Sequence, residues 1–447
     1  MERSNRKKLG DLAEIKHGFA FPGKHIVSQE TDRILMTPGH FALGGGFRHN
    51  HKKYFDSSDY RDGYELESGD LVVTMTDLSK TGDTLGFSAV VPEIKGKILL
   101  HNQRIGKVVL KSSELDKNFC HYLLRSRRYR QHVLETCTGS TVKHTSPTKI
   151  LDYEFDLPLI SDQKAIAHIL GTLDDKIELN QKMNQTLEEI AKAIFKSWFV
   201  DFDPVRAKAE GRPTGLPPEI SDLFPDELVD SEIGEIPKGW SISCIGEHAD
   251  VIDCLHSKKP TLLDEGFNFL QLNQIGNDGL LYCDGISKIS QVDYEKWTSR
   301  IEVAEGDCIV TNVGRVGAYA RIPRKFIGAV GRNITAIHPH AESQMDFFIA
   351  DYLSSPAYER EKDLKTDTGT ILDALNVKNI PKLRFIYSAP SLIECHRKIS
   401  RSLWQRRELL VEENQILANL RDTLLPKLIS GELRIPDAEK FLEEAGI

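Results

Sequence analysis

Two short segments of this chain have residue types found in phosphate-binding loops. Gly18-Phe-Ala-Phe-Pro-Gly23-Lys24-His25 has a similar spacing, but His25 stands where Ser or Thr would bind magnesium, and a proline interrupts the loop. Gly44-Gly45-Gly46 lacks the strand before it and the helix after it that a dinucleotide site needs. We therefore expect no nucleotide to bind at either segment, and expect the three glycines to form a turn.

Residues suited to metal chemistry are sparse. Asp83, Glu93 and Lys95 loosely resemble a nuclease metal site, but a pattern as loose as this one recurs by chance. Cys254 and His256 are neighbours, but no second pair of ligands stands near them. The sequence predicts no metal site.

Methyl-transfer chemistry also lacks its residues. The only adjacent prolines, Pro217-Pro218, are not preceded by Asp or Asn and followed by an aromatic residue, as an amino-methyltransferase motif would require. No Ser/His/Asp constellation has supporting context. We expect a chain with no catalytic residues and no cofactor of its own.

Basic residues recur at matching places in two parts of the chain. Residues 308–341 contain five basic residues and no acidic one, and residues 84–113 contain five basic residues and one acidic one. The net charge of −8 hides this pattern because residues 201–237 alone contain three basic and ten acidic residues. A repeated basic stretch predicts contact with phosphates, although ordinary solvated charge is the competing explanation.

The chain also repeats itself over longer distances. Thr138-Gly139-Ser140 returns as Thr368-Gly369-Thr370, Gly69-Asp70 returns as Gly306-Asp307, and Gly10 matches Gly246. A period this long indicates two copies of one domain. Each copy combines a predicted module of strands and short helices with a long helix. The strands are expected near 69–74, 87–91 and 97–100, and near 306–310, 318–322 and 326–330, and the short helices at 118–129 and 346–358.

The long helices have apolar residues at intervals of seven. The predicted coiled-coil seam consists of Ile166, Leu173, Leu187, Ile194, Leu403, Leu410, Leu417 and Leu424. Exposed apolar residues outside the seam, such as Phe195, Phe199, Leu409 and Ile429, would dock partner subunits, although core packing would explain them equally well. A hairpin that only stabilises the fold is the alternative to a rigid spacer between modules.

The predicted fold class is therefore α+β, with two β-rich domains, each followed by a long helix, an antiparallel helix pair and an internal pseudo-twofold repeat. The expected boundaries are 1–160 for module one, 161–200 for the first helix, 201–238 for an acidic Pro/Gly-rich linker, 239–390 for module two, 391–430 for the second helix and 431–447 for a tail. Seven cysteines without a C-x-x-C pair, and no apolar run of about 18 residues, predict a cytoplasmic protein without a membrane span.

The connector between the copies resembles that of type I restriction-modification specificity subunits. The resemblance rests on Phe195-Lys-Ser-Trp-Phe-Val-Asp-Phe-Asp-Pro-Val205 and on Asp230-Ser-Glu-Ile-Gly-Glu-Ile-Pro-Lys-Gly-Trp240. Residues 163–177 resemble the start of that family's first conserved helix. The resemblance covers nearly the whole chain in the expected order.

The resemblance implies that each module is a target-recognition domain for one half of an asymmetric, bipartite site in double-stranded DNA. The two helices would form an antiparallel ruler that sets the unread gap. Two modification subunits, which bind S-adenosylmethionine and methylate adenine, would bind the ruler, and ATP-hydrolysing restriction subunits would join them. The chain itself would be non-catalytic.

Polar residues in and beside the basic stretches are the expected DNA contacts, because Arg reads guanine well and Asn reads adenine. In module one they are Thr76, Ser79, Lys80, Arg104 and Lys143, and in module two Asn312, Arg315, Arg321, Arg324 and Arg332. Three alternatives remain open from the residues: a stand-alone sequence-specific DNA binder, a methyltransferase or nuclease with a divergent site, and a coiled-coil scaffold.

Overall fold

The computed structural model describes residues 5–49, 53–367, 369, 373–444 and 446. The chain divides into two compact units, one of Met1–Ile177 with Ile416–Ile447 and one of Glu178–Gln415. Each unit contains one β-rich module and a part of each of two long helices. Thr368 and Thr370 of the repeated motif lie outside the described residues.

The module of the first unit consists of short strands and short helices. Its strands are β1 (Arg6–Lys8), β2 (Ala13–His17), β3 (Ile26–Val27), β4 (Arg33–Met36), β5 (Tyr54–Phe55), β6 (Glu65–Leu66), β7 (Leu71–Thr74), β8 (Thr76–Asp77), β9 (Ser88–Val90), β10 (Ile98–His101), β11 (Ile105–Leu110), β12 (Lys143–His144) and β13 (Glu154–Asp156). Its helices are α1 (Leu9–Leu12), α2 (Lys117–Leu123), α3 (Arg127–Thr136) and α4 (Pro147–Leu151), followed by the first long helix, α5 (Ile160–Phe199).

The second unit begins within α5 and continues into α6 (Asp203–Ala209) and α7 (Pro218–Ser221). Its strands are β14 (Leu228–Ser231), β15 (Gly234–Pro237), β16 (Ser241–Cys244), β17 (Ala249–Asp253), β18 (Phe267–Leu270), β19 (Ser287–Ile289), β20 (Cys308–Thr311), β21 (Tyr319–Arg321), β22 (Ala329–Val330), β23 (Ile334–Pro339), β24 (Thr366–Asp367), β25 (Ala374–Leu375) and β26 (Arg384–Tyr387). The remaining helices are α8 (Gln291–Trp297), α9 (Asp346–Leu353), α10 (Pro356–Lys365), the second long helix α11 (Pro390–Ser430), and α12 (Ile435–Glu444) in the first unit.

The two modules share one sheet topology. Module one has an antiparallel sheet in the order β2-β11-β7-β9, and module two has the equivalent order β17-β23-β20-β21. Each also has a second sheet with one parallel pair, β4 with β10 and β18 with β22. The predicted α+β class and the internal repeat are therefore confirmed.

The repeated Gly-Asp pairs form the same turn in both modules. Gly69 and Gly306 have φ values of +85° and +98°, a backbone conformation that favours glycine. Asp70 Oδ2 accepts from the amide of Glu67, and Asp307 Oδ2 accepts from the amide of Ala304, at 2.9 Å in each case. The turn leads directly into the buried central strands β7 and β20.

Each predicted short helix is in fact two helices. The expected helix at 118–129 is divided into α2 and α3, and the one at 346–358 into α9 and α10. The cause is a serine with extended backbone, Ser126 or Ser355, whose hydroxyl accepts from the amide three residues later and starts a new helix.

The long helices run antiparallel within the second unit. Asn184 of α5 contacts Arg407 of α11, whereas Phe195 and Phe199, further along α5, contact His396, earlier in α11. Phe195 and Phe199 belong to the core of this unit, so of the four apolar residues considered for docking, Leu409 is the one that is exposed.

The buried stripe of the long helices differs from a two-stranded seam. Ile166, Leu173, Leu410, Leu417 and Leu424 are buried, whereas Leu187, Ile194 and Leu403 are half-buried. Trp404, next to Leu403, is buried instead and donates to Asp351 of α9. The stripe is wide because each helix packs against a module as well as against the other helix.

The acidic segment predicted as a linker is folded in part. It contains α6, α7 and the antiparallel hairpin of β14 and β15. Val205 and Phe224 are buried in the core of the second unit, where Phe224 packs against Trp198 and Trp240. Apolar residues scattered among the acidic ones therefore fix this segment to the module.

Candidate nucleic-acid interface

Strand register brings all five predicted DNA contacts of module one to one edge of its sheet. Thr74 pairs with Ile105, so the residues after β7 and before β11 leave the sheet together, and the amide of Met75 donates to Arg104. The next residues, Thr76 and Asp77, pair with His144 and Lys143 of β12. We refer to this edge, formed by residues 75–86, 102–104 and 138–145, as reading edge one.

Some side chains at reading edge one are buried and support its loop, and others are exposed. Asp77 accepts from the amides of Ser79 and Thr84, and these hydrogen bonds lower its pKa although burial alone would raise it. Thr76 is buried, with its hydroxyl 3.2 Å from Nδ1 of His144. Lys80 and Arg104 are exposed, and Ser79 and Lys143 are half-buried. Positive charge on a loop held by a buried carboxylate suits contact with phosphate.

Module two has the equivalent edge. Thr311 pairs with Ile334, and the amide of Asn312 donates to the carbonyl of Asn333 at 2.9 Å. This bond corresponds to the one from Met75 to Arg104 in module one. We refer to residues 254–258, 312–317, 331–333 and 373–374 as reading edge two. Its exposed basic residues include Arg315, Arg332 and Lys258.

The structure places Arg321 away from reading edge two, with a buried side chain. Arg321 pairs with Cys308, at the end of β20 opposite to Thr311, so the register separates it from reading edge two. Its guanidinium is buried and lies 2.6 Å from Glu408 of α11. Burial raises the pKa of Glu408 although Arg321 opposes the rise. Arg321 holds the sheet to α11. Arg324 is exposed and comes after the end of β21, at the same end of the sheet as Arg321.

Asn312 is at the predicted edge but is not open to a ligand. Its Nδ2 donates to the carbonyl of Leu375 at 3.1 Å, and its Oδ1 accepts from Thr335 at 3.0 Å. Both polar atoms of the buried amide are therefore used within the module. These two hydrogen bonds hold the start of the loop that presents Arg315.

The segment that resembles a phosphate-binding loop forms no such loop. Phe21 is buried and packs edge-on against Phe55, and Phe19 packs against both Phe21 and Tyr64. His25 lies 2.8 Å from Asp56. The aromatic side chains of this segment, Phe19 and Phe21, are therefore part of a small core beneath the second sheet.

One group of metal-ligand types occurs among the residues that the structure describes. The ligand atoms of Asp253, Cys254 and His256 lie within 4.8 Å of one another. His256 Nε2 is 2.7 Å from Asp253 Oδ2, and burial raises the pKa of the Cys254 thiol. Structural zinc sites have four protein ligands, so these three residues match such a site incompletely, and a hydrogen bond between Asp253 and His256 explains their geometry.

Sequence reasoning missed a set of buried charges between the modules and the long helices. In the first unit Arg125 and Arg421 both pair with Asp174, each at 2.6 Å. Burial raises the pKa of Asp174, but the two guanidinium groups more than offset this and lower it to about 2. Burial, with Arg125 beside it, lowers the pKa of His121 to about 3. The sequence did contain a sign of this network. Asp174 directly follows Leu173, and Arg421 lies four residues after Leu417, so both charges are close to heptad positions of the long helices.

None of the helices among the described residues is long and apolar enough to cross a membrane.

Comparison with known proteins gives one consistent result. Residues 1–189 match the family model described as the type I restriction modification DNA specificity domain. The chain is 27% identical over 351 residues to the type I restriction enzyme HindI specificity subunit of Haemophilus influenzae, covering 68% of this chain and 74% of that protein. It is 24% identical over 444 residues to the EcoBI specificity subunit of Escherichia coli, covering 96% of this chain and 86% of that protein.

A solved structure shares the fold. The crystal structure of a type I restriction-modification S subunit from M. genitalium matches with a TM-score of 0.53 at 15% identity. The match covers 96% of this chain and 97% of that chain.

Proposed function

We propose that the chain is a type I restriction-modification DNA specificity subunit and that it reads double-stranded DNA in two parts, one with each module. The observation that supports this most strongly is the duplicated reading edge. The same strand register ends at Met75 and Arg104 in module one and at Asn312 and Asn333 in module two. The recognition modules are residues 1–160 and 239–390.

Exposed basic residues at the two edges are the proposed DNA contacts. Lys80, Arg104 and the half-buried Lys143 belong to reading edge one, and Arg315 and Arg332 to reading edge two. Phosphate contacts position a protein on the duplex and base-edge contacts specify the sequence. Thr76 and Asn312 act by holding the loops, and Ser79 shares both tasks because its hydroxyl also accepts from the amide of Asp83.

Arg315 is fixed in direction by the module itself. Its guanidinium donates to the carbonyls of Ile275 and Gly276 at 2.7 and 2.8 Å, and to Asn277. A guanidinium with its orientation already fixed loses less conformational entropy on binding DNA than a free one. We assign Arg315 to the recognition of guanine or phosphate, and Arg332, exposed beside it, to the same half-site.

The long helices are the proposed spacer and the proposed binding surface for other subunits. In the second unit their apolar residues Leu179, Ile190 and Leu409 are 54%, 41% and 52% exposed. Apolar side chains exposed along a helix suit protein partners. The partners are two adenine-methylating modification subunits, which supply S-adenosylmethionine binding, and ATP-hydrolysing restriction subunits. The chain supplies no cofactor or catalytic residue, and it acts in the cytoplasm, where its DNA is.

A selection experiment tests this function. The chain, co-expressed with a modification subunit encoded beside it, is purified as a complex and used to select duplexes from a random library. We expect two short sequence blocks separated by a gap of constant length. Selection of two blocks by the chain alone, with no complex formed, would favour a stand-alone DNA binder. Selection of no sequence by an intact complex would contradict the proposed function.

A further inference from the structure

Each module has a short loop that connects its reading edge with the long helices. The loops lie between the paired residues Phe41 and Phe47 in module one and Ile275 and Leu281 in module two. A short 3-10 helix precedes each loop, at Pro38–His40 and at Leu272–Gln274. The offset is 275 − 41 = 234 residues, so Gly44 in the first loop corresponds to Asp278 in the second.

In the first unit a buried arginine holds this loop. Arg125 Nε donates to the carbonyl of Gly44 at 2.9 Å, and its Nη1 donates to Asp174 of α5 at 2.6 Å. The Arg125 side chain is 2% exposed. A Cβ at Gly45, whose φ is +90°, would lie 2.6 Å from Cγ of Arg125, so the loop backbone packs directly on the arginine.

In the second unit a different arginine holds the equivalent carbonyl. Arg407 Nη2 donates to the carbonyl of Asp278 at 2.7 Å, and its Nε donates to Asn184 of α5 at 3.0 Å. Glu188 of α5 lies 3.4 Å from the same guanidinium, which is 2% exposed and stacks on Trp404. Here the arginine belongs to α11, whereas Arg125 belongs to the module, between α2 and α3.

The loops are also bonded to the sheets that form the reading edges. In module two the carbonyls of Ile275 and Gly276 accept from Arg315 of reading edge two. In module one the amide of Gly46 donates to Ser88 of β9, the strand beside β7. A displacement of either loop would therefore be transmitted to the edge that contacts DNA.

We propose that Arg125 and Arg407 are positioning residues that fix the angle of each reading edge to the segments of the long helices in its own unit. The inference rests on the proposed function and deepens it. Two different arginines, from different elements, donate to the same carbonyl of the repeat and to α5. A buried guanidinium with several donors suits this task because its planar fork holds several acceptors in one geometry.

Methionine variants test the proposal in the complex of the full chain with its modification subunit. Arg125→Met retains the length of the stem, and Asp174 keeps Arg421 as a partner. Arg407→Met leaves Glu188 with Lys192. Neither change leaves a carboxylate without a partner, so we expect both variants to fold. Arg125→Lys and Arg407→Lys are the conservative variants, and thermal unfolding is measured for all four.

The readout is adenine methylation of duplexes that contain the selected half-sites with the native gap or with a gap one base pair longer or shorter. In the wild type the native gap should be strongly preferred. We expect each Met variant to lower this preference on the order of tenfold or more, with base preference within both half-sites retained. The Lys variants should recover part of the preference.

Unchanged gap preference in both Met variants would overturn the inference. So would a loss of methylation that parallels a loss of folded protein and is equal for Met and Lys variants, because that pattern indicates a role in stability alone. A wild-type complex without a two-part site would instead refute the proposed function, which separates the two failures.

Discussion

Asp174 Oδ1 accepts from the guanidinium of Arg421 at 2.6 Å, which joins α5 to α11 within the first unit. The other carboxylate oxygen, Oδ2, accepts from Arg125 at 2.6 Å and from the Tyr122 hydroxyl at 2.9 Å. One carboxylate thus connects both long helices with the module. Removal of the Asp174 carboxylate would take this ionic partner away from the buried guanidinium of Arg125.

Asp174→Asn should therefore destabilise the first unit. Breaking a buried ion pair costs roughly 3–5 kcal/mol, and we expect a loss near the lower end because Asp174 is partly exposed. Asp175→Asn, at the exposed neighbouring residue, is the matched control and should change stability by less than about 0.5 kcal/mol. Urea unfolding at pH 7, followed by far-UV circular dichroism, measures both. Equal effects of the two substitutions would contradict the assigned role of Asp174.

The Asp174 carboxylate should also make the free energy of unfolding depend on pH. Its folded-state pKa of about 2 lies below the ordinary value of 3.8, so its stabilisation is present above pH ~4 and is lost as the pH falls towards 2. The difference in unfolding free energy between the wild type and Asp174→Asn should therefore shrink as the pH is lowered from 5 to 3. A difference that stays constant or grows over this range would show that the ionised carboxylate is not the stabilising group.

Two adjacent leucines of α11 allow a matched test of packing in the second unit. Leu410 is fully buried, whereas Leu409 is 52% exposed. Leu410→Ala should cost about 2–5 kcal/mol because it removes buried methyl groups and leaves a cavity, and Leu409→Ala should cost less than about 0.5 kcal/mol. All four tryptophans, Trp198, Trp240, Trp297 and Trp404, belong to the second unit. Intrinsic tryptophan fluorescence during urea unfolding therefore reports this unit, and similar costs for the two variants would contradict the assigned packing.

Substitutions of two arginines in module two, Arg332 and Arg321, should have different effects. Arg332→Ala removes an exposed residue of reading edge two, so we expect weaker DNA binding and a loss of about 1–3 kcal/mol of base discrimination in one half-site only. Its unfolding midpoint should not change. Competition binding with duplexes mutated in one half-site at a time measures the discrimination, and equal losses in both half-sites would refute the assignment.

Arg321→Ala serves as the contrasting variant. Glu408 would lose its partner in a buried site, so we expect destabilisation of roughly 3–5 kcal/mol. The protein that remains folded should discriminate bases as the wild type does. Tryptophan fluorescence measures the first effect and competition binding the second. A stable Arg321→Ala protein with altered base preference would show that Arg321 reads DNA after all.

The repeat and the central strands could be predicted because local rules determine them. Gly69-Asp70 and Gly306-Asp307 form a turn whose glycine conformation and carboxylate acceptor are written in adjacent residues. Local rules do not determine at which end of the sheet each basic residue lies. Arg321 and Arg332 belong to the same basic stretch, but the pairing of Arg321 with Cys308 takes it to the opposite end of the sheet.

The contacts between modules and long helices were beyond sequence reasoning for another reason. Arg125 and Asp174 are 49 residues apart, and Arg407 and Asp278 are 129 residues apart. No periodicity within a helix indicates which carbonyl of a distant loop it will meet. The heptad pattern located Leu410, Leu417 and Leu424, which are buried, but it gave half-buried Leu403 where the buried side chain is Trp404.

In the proposed function, this chain gives an adenine methyltransferase its two-part DNA specificity. The most direct measurement is adenine methylation across the genome of a host that expresses the chain with its neighbouring modification subunit, compared with a host that expresses the modification subunit alone. We predict methylation at a single two-part motif with a constant gap, only when the chain is present. The same methylation with and without the chain, or none at all from a stable complex of the two proteins, would contradict the proposed function.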